Sequence, residues 1–152
     1  MQHATLGNLT VSRIGLGAMT MAGTYTSGYS PLGHGFLTGQ IRTPDDIPDD
    51  DWRKTNPRFV GDAFRRNLRI VNEVQNIATE AGATPAQVAL AWLLGQGTDI
   101  APIPGTRRVA RVEENTAADS VVLTADQLHR LNALTAATGA RHDEANMASI
   151  DR

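Results

Sequence analysis

Apolar residues recur at helical spacing between Asp62 and Ala81. Phe64, Leu68, Val71, Val74, Ile77 and Ala81 fall on one stripe, which predicts an amphipathic helix. Gly82 follows it and reads as the C-terminal stop. Thr84-Pro85-Ala86-Gln87 is a capping box with proline at the first helical position. The helix it opens runs to about Leu94 and is apolar on most faces, so it should be largely buried. Gly95 to Gly97 ends it. The apolar run Ile100 to Pro104 reads as a buried strand ending in a turn. A helix is expected from about Val109 to Ala118, then a short extended link at Val121 to Leu123. A second capping box, Thr124 to Gln127, opens a helix to about Ala137 with Leu128, Leu131 and Leu134 inward.

The first third of the chain has a different texture. Apolar residues flank a Gly7-Asn8 turn signal between Leu6 and Ser12, which reads as a small hairpin. Arg13 to Gly17 reads as a short strand with Ile14 and Leu16 on one face. Its glycines, Gly15 and Gly17, let a backbone or ligand come close. Residues 18–28 are small, polar and loop-like. Tyr29 to Gly39 holds Pro31, Gly33, Gly35 and Gly39 with hydroxyls near each end. Such a loop can wrap a pyrophosphate with backbone N–H groups, although it matches neither the P-loop nor the Rossmann fingerprint. Tyr29 could stack on a flat ring or sit in the core. Arg42 to Gly61 is a long loop whose acidic run, Asp45 to Asp51, reads as solvated surface because its spacing is not that of a calcium loop. Trp52 and Phe59 should pin that loop to the body. Residues 139–152 read as a loose polar tail. His129 should face solvent. His3, His34 and His142 lack metal-ligand spacing, and replacing His34 should change little.

Composition narrows the class. The length of 152 residues suits one domain. It divides into an N-terminal hairpin and first strand over 1–28, a central part over 29–138 and the tail over 139–152. A formal net charge of −2 gives no reason to expect nucleic-acid or membrane-surface binding. The absence of cysteine excludes disulfides, thiolate nucleophiles and cysteine zinc sites. No apolar run reaches the roughly 20 residues of a membrane helix, and no signal-peptide pattern opens the chain. A cytoplasmic protein is the expectation.

The richest chemistry lies between Ile103 and Asn115. A strand that stops at Gly105-Thr106 and turns into a helix leaves free N–H groups at the positive end of the helix dipole. Arg107, Arg108 and Arg111 lie within one to two turns of it and could grip a phosphate bidentately. Glu114 and Asn115 could hydrogen-bond a purine edge. The competing reading is an ordinary helix start with solvated arginines.

Taken together, these stretches resemble the aldo/keto reductases. The resemblance rests on Tyr29-Ser30-Pro31-Leu32-Gly33 with Gly35 and Gly39, on Thr84-Pro85 with Ala91-Trp92-Leu93, on Ile103 to Arg107 with Glu114-Asn115, and on the Leu6 to Gly17 opening. It implies a (β/α)8 barrel that reduces carbonyls with NADPH, with the cofactor across the C-terminal ends of the strands. By resemblance, Tyr29 stacks on the nicotinamide, which Gly17 approaches from the first strand. Ser30, Leu32 and Gly33 form the pyrophosphate loop. Gly105, Thr106, Arg107 and Arg111 form the 2′-phosphate clamp, and Glu114 and Asn115 contact the adenine.

The sequence departs from the family in one large respect. A (β/α)8 barrel takes about 250 residues. Here what resembles strand one joins directly to what resembles strand seven. The implied architecture is α/β, a partial barrel of strands one, seven and eight with helices seven and eight, which one chain cannot close. Its open sheet edges invite self-association. The family's catalytic Asp, Tyr, Lys and His belong to the stretch without a counterpart. No Asp-x-Ala-x-x-Tyr pattern occurs, the single lysine is Lys54, and Tyr25 has no lysine or histidine beside it. No catalytic residue or metal ligand is therefore assigned. The expected function is an NADP(H)-binding reductase chain that is inactive alone. The alternatives are a non-catalytic NADP(H)-binding or regulatory module, or a deletion remnant without function.

Overall fold

The computed structural model describes residues 3–6, 8–12, 14, 30–97 and 100–144. The chain opens on the expected hairpin. β1 (His3–Leu6) pairs antiparallel with β2 (Leu9–Ser12), with His3 opposite Ser12 and Leu6 opposite Leu9. Four helices follow: α1 (Gly61–Ala81), α2 (Pro85–Leu94), α3 (Val109–Ala117) and α4 (Ala125–Asn132). Short 3-10 turns lie at Gly33–Thr38, Pro44–Asp46, Trp52–Lys54 and Ala118–Ser120.

The helix signals translate directly into geometry. Gly82 takes φ 62 and ψ 32, a left-handed conformation that glycine reaches without a Cβ clash. Its N–H donates to Thr79 O at 3.3 Å, and Ala83 N–H donates to Ala78 O at 2.9 Å, which closes α1. Thr84 and Gln87 make the reciprocal capping bonds of α2: Gln87 N–H to Thr84 Oγ1 at 3.2 Å and Thr84 N–H to Gln87 Oε1 at 2.9 Å. Thr124 and Gln127 repeat the device at α4.

The core forms three clusters, and α1 and α2 run between them. The first half of α1 packs Phe64 and Val71 on Phe36, Ile41, Ile47 and Phe59. Phe36 meets Phe59 and Phe64 edge-on, with ring centroids 5.2 and 5.5 Å apart. The second half of α1 packs Val74, Ile77 and Ala78 on Val88 of α2 and Leu131 of α4. Leu90 and Leu94, on the far side of α2, pack with Ile14 and Ala118. Burying a Leu, Ile, Val or Phe contributes about 1.5–3 kcal/mol each, and α1, which buries Phe64, Val71, Val74 and Ile77, carries the largest share of that core. Ion pairs add a peripheral tie: Arg130 of α4 reaches Glu73 at 2.7 Å and Glu80 at 2.9 Å on α1.

Four expectations need correcting. The Ile100 to Pro104 segment is not a strand, and no hydrogen bond reaches its backbone from the described residues. Pro102 and Pro104 have no N–H to give, and no described neighbour offers a ladder. The other two strands of the expected three-strand sheet, at Arg13 to Gly17 and ahead of Tyr29, fall almost wholly outside the described residues. Among the described residues the only sheet is the two-stranded hairpin, and no barrel is closed. The helix expected to reach Ala137 stops at Asn132, where Trp92 Nε1 donates to Asn132 Oδ1 at 2.7 Å. The start of the supposed loose tail is packed: Asn56 Nδ2 donates to Arg141 O at 2.9 Å, and His142 is 2% exposed. Phe59 anchors the long loop as expected, whereas Trp52 stays 43% exposed and packs by one edge. Among the described residues, no helix is long and apolar enough to cross a membrane.

Candidate functional site

The glycine-rich turn comes first along the chain. Gly33, His34 and Gly35 take φ of 57, 57 and 89, three consecutive left-handed residues. Successive residues of this kind curl the backbone so that N–H groups converge, as anion-binding loops do. Here those groups are already partnered. Gly33 N–H donates to Ser30 O at 2.9 Å and Gly35 N–H to Leu32 O at 3.0 Å. His34 N–H donates to the Ser30 hydroxyl at 2.8 Å. An anion at this turn would therefore exchange with internal acceptors rather than meet bare donors. Leu32 packs on the cluster of Ile14, Leu90, Leu94 and Ala118, which fixes the turn to α2. Tyr29 and Gly17 lie outside the described residues, as do Tyr25 and the first-strand loop.

The arginine segment also rests on α2, through Gln87 and Glu114. Its helix starts at Val109, as expected. Arg108 is the N-cap and α3 begins at Val109, so Gly105 and Thr106 belong to an irregular approach. The strand-to-helix junction foreseen there is absent, because the preceding segment is not a strand. Thr106 still shapes the entry: Arg108 N–H donates to Thr106 Oγ1 at 3.2 Å. Arg107 is exposed, with no ion-pair partner among the described residues. Arg111 is paired with Glu114 one turn along α3, the arginine side chain 42% exposed and the carboxylate 16%. Glu114 O accepts from Gln87 Nε2 at 3.1 Å, which ties α3 to α2. Asn115 is 4% exposed.

Glu114 and Asn115 are thus more enclosed than ligand contacts on an open face would be, and Glu114 already neutralises Arg111. No hydrogen bond joins the Ser30 turn to the Thr106 segment among the described residues. The two share α2 as a support, Leu32 packing on the cluster that holds Leu90 and Leu94, and Glu114 bonding to Gln87.

A profile of the aldo/keto reductase family matches residues 13–136. The chain belongs to the aldo/keto reductase family. It is 51% identical over 96 residues to the Schizosaccharomyces pombe aldo-keto reductase yakc, whose name specifies NADP(+). That alignment spans 63% of this chain and 28% of the relative. It is 45% identical over 100 residues to aldo-keto reductase str7 of Strobilurus tenacellus, spanning 66% of this chain and 30% of that one. The aligned part of the chain thus corresponds to less than a third of either relative. The family implies a (β/α)8 barrel, of which the described residues form a helix-rich part.

One residue of the turn was given no part by its sequence context. His34 sits with its ring edge-on to Trp52 at 4.8 Å and 5.7 Å from the His142 ring. Burial lowers its pKa from 6.5 to about 4, helped by the neighbouring charges of His142, Arg58, Arg53 and Arg141. His34 is therefore a neutral packing residue at neutral pH. Burial, with Arg141 close by, also lowers Arg58. No local pattern links positions 34 and 142, which are joined only by the fold.

Proposed function

We propose that this chain binds NADP(H) and forms the cofactor-holding part of a carbonyl reductase, without supplying the proton donor. The observation that carries the reading is the placement of Arg111 on the first turn of α3, partly open to solvent, beside the Thr106 entry and the exposed Arg107. Two guanidinium groups at that point suit a phosphate dianion such as the 2′-phosphate of NADP(H). Thr106 and Gly105 would shape the approach, with Glu114 and Asn115 on the adenine side. Ser30, Leu32 and Gly33 would receive the pyrophosphate by giving up their internal bonds, and Tyr29 and Gly17 would flank the nicotinamide. The name of the fission-yeast relative supports NADP.

Bound NADPH supplies hydride to a carbonyl carbon. The alkoxide that forms needs a proton from a nearby acid, whose pKa a cationic neighbour must lower. Lys54 is this chain's single lysine, and it is engaged with Asp49 at 2.9 Å on the surface loop. Both tyrosines, Tyr25 and Tyr29, lie outside the described residues.

A second reading is favoured by the Ile100 to Pro104 segment. Its backbone is unpaired among the described residues, Ile103 is 47% exposed and nearby Val109 is 75% exposed. Such a segment accepts a strand from another polypeptide. That makes a self-associating or partner-dependent chain the alternative to a free-standing one. NADPH fluorescence titration together with an aldehyde-reduction assay tests both readings. Binding without turnover is expected. Turnover by the purified chain would overturn the missing-donor reading, and no binding would point to a chain without cofactor function.

A further inference from the structure

The glycine-rich turn is held from outside by the far end of the chain. Among the described residues His34 is the one non-glycine in the left-handed region, with φ 57 and ψ 31. A residue with a Cβ is disfavoured there, and the conformation persists only where surrounding contacts impose it. Those contacts are identifiable. Arg53 Nη1 donates to His34 O at 3.0 Å, and Arg53 is itself held by Asp51. The ring lies against Trp52 on one side and His142 on another.

His142 belongs to a short strap, residues 138–142, tied down at several points. Thr138 N–H donates to Asn67 Oδ1 at 2.7 Å, and Asn67 Nδ2 donates to Thr138 O at 2.9 Å. Arg58 Nε donates to Gly139 O at 3.2 Å, and Asn56 Nδ2 to Arg141 O at 2.9 Å. At Gly139 (φ 97) the strap passes so close to the loop that a Cβ would lie 2.6 Å from Pro57 O. The His142 ring is 2% exposed, and its Nε2 has no hydrogen-bond partner. The ring is therefore retained there by packing on Trp52 and His34 and by the strap's backbone bonds.

We propose that the strap Thr138–His142 sets the shape of the Gly33–Thr38 turn, with His142 as a positioning residue that acts through the His34 ring. The strap then controls the pyrophosphate end of a bound dinucleotide and leaves the adenosine 2′-phosphate end untouched. The second half of this inference rests on the NADP(H)-binding reading, and the first half does not. With the strap docked, His34 stays left-handed and the turn keeps its N–H groups converged. With the strap released, His34 relaxes to an ordinary conformation and those groups diverge.

Two measurements on the full chain test it, using His142→Ala and His142→Phe. The phenyl ring keeps the packing on Trp52 and His34 and removes the unpartnered nitrogen. In amide hydrogen exchange without ligand, His142→Ala should speed exchange across residues 30–39 by about five- to thirtyfold, as release of a left-handed constraint implies. Exchange across α3 should stay unchanged, and His142→Phe should restore the native rate at 30–39. Unchanged exchange at 30–39, or equal acceleration everywhere, would overturn the inference. Should His142→Ala not fold, Asn56→Ala removes one strap bond and must show a smaller acceleration confined to the same turn.

The second measurement compares NADPH with adenosine 2′,5′-bisphosphate, which lacks the pyrophosphate and nicotinamide. His142→Ala should weaken NADPH by about tenfold and the bisphosphate by less than about twofold. Equal weakening of both would overturn the assignment of the strap to the pyrophosphate end. If the native chain binds neither probe, the cofactor reading fails, and the exchange experiment still decides whether the strap shapes the turn.

Discussion

Asn67 and Thr138 pair as two strands would, although one partner is a side chain. The Asn67 amide accepts from Thr138 N–H at 2.7 Å and donates to Thr138 O at 2.9 Å. Asn67 is 3% exposed and lies on the apolar stripe of α1. A buried polar residue on a core face is tolerated only when its hydrogen bonds are met. Asn67→Ala strips both partners from Thr138 and one from Arg58 O, which Asn67 also serves. The expected cost is about 2–4 kcal/mol, since each orphaned group costs about 1–3 kcal/mol. Asn67→Asp keeps the acceptor but sets a buried carboxylate oxygen against the Thr138 and Arg58 carbonyls, so it should cost at least as much. Urea unfolding midpoints measure both, and an unchanged midpoint for Asn67→Ala would remove the strap's main anchor from the account.

Gly139 is the position in the strap where no side chain fits. Its φ of 97 excludes most residues, and an added Cβ would press on Pro57 O at 2.6 Å and Pro57 C at 2.8 Å. Both obstacles are backbone, which cannot swing aside. Gly139→Ala should lift the strap and expose the peptide bond after Arg141. Tryptic cleavage there should then quicken by about tenfold or more, tracking the population of the open form. Cleavage at the native rate would show that the loop yields.

Buried His34 makes stability fall on the acid side. The pKa of His34 is lowered by burial from 6.5 to about 4, with His142, Arg58, Arg53 and Arg141 adding like charge. Between these values the unfolded chain binds a proton that the folded chain refuses. The contribution of neutral His34 is thus fully present above about pH 6.5 and is lost as the pH falls through about 4. Thermal unfolding from pH 7 to pH 4 should show a decline that His34→Phe makes shallower. A decline of equal slope in both would assign the acid sensitivity to carboxylates.

Arg111→Ala should separate the two nicotinamide cofactors. A charge-assisted contact to the 2′-phosphate contributes about 1–3 kcal/mol, so NADPH should weaken by that amount while NADH changes little. Parallel fluorescence titrations read the difference. Equal loss for both cofactors would remove Arg111 from the 2′-phosphate.

Local signals in this sequence were legible wherever a few neighbouring residues settle the outcome. The capping boxes at Thr84 and Thr124, the stop at Gly82 and the hairpin about Asn8 all form as the residues dictate. The family was also legible, because its motifs are spread along the chain in fixed order. The misreadings share another cause. Ile100 to Pro104 has the composition of a strand, but a strand needs a neighbour to pair with. The apolar spacing after Thr124 continues to Ala137, whereas residues beyond Asn132 turn back towards α1 to reach Asn67. The contact between His34 and His142 spans over a hundred positions, and only tertiary structure brings the two together.

The alternation of Pro102 and Pro104 has a consequence for what the chain can build. Were the segment drawn into an extended run, successive N–H groups would point to opposite sides, so Ala101 and Ile103 would direct theirs one way and the prolines have none to direct the other way. Only one flank of this segment can both give and receive. A fibril must be added to from two flanks, whereas a segment competent on one flank is capped once a single companion has arrived.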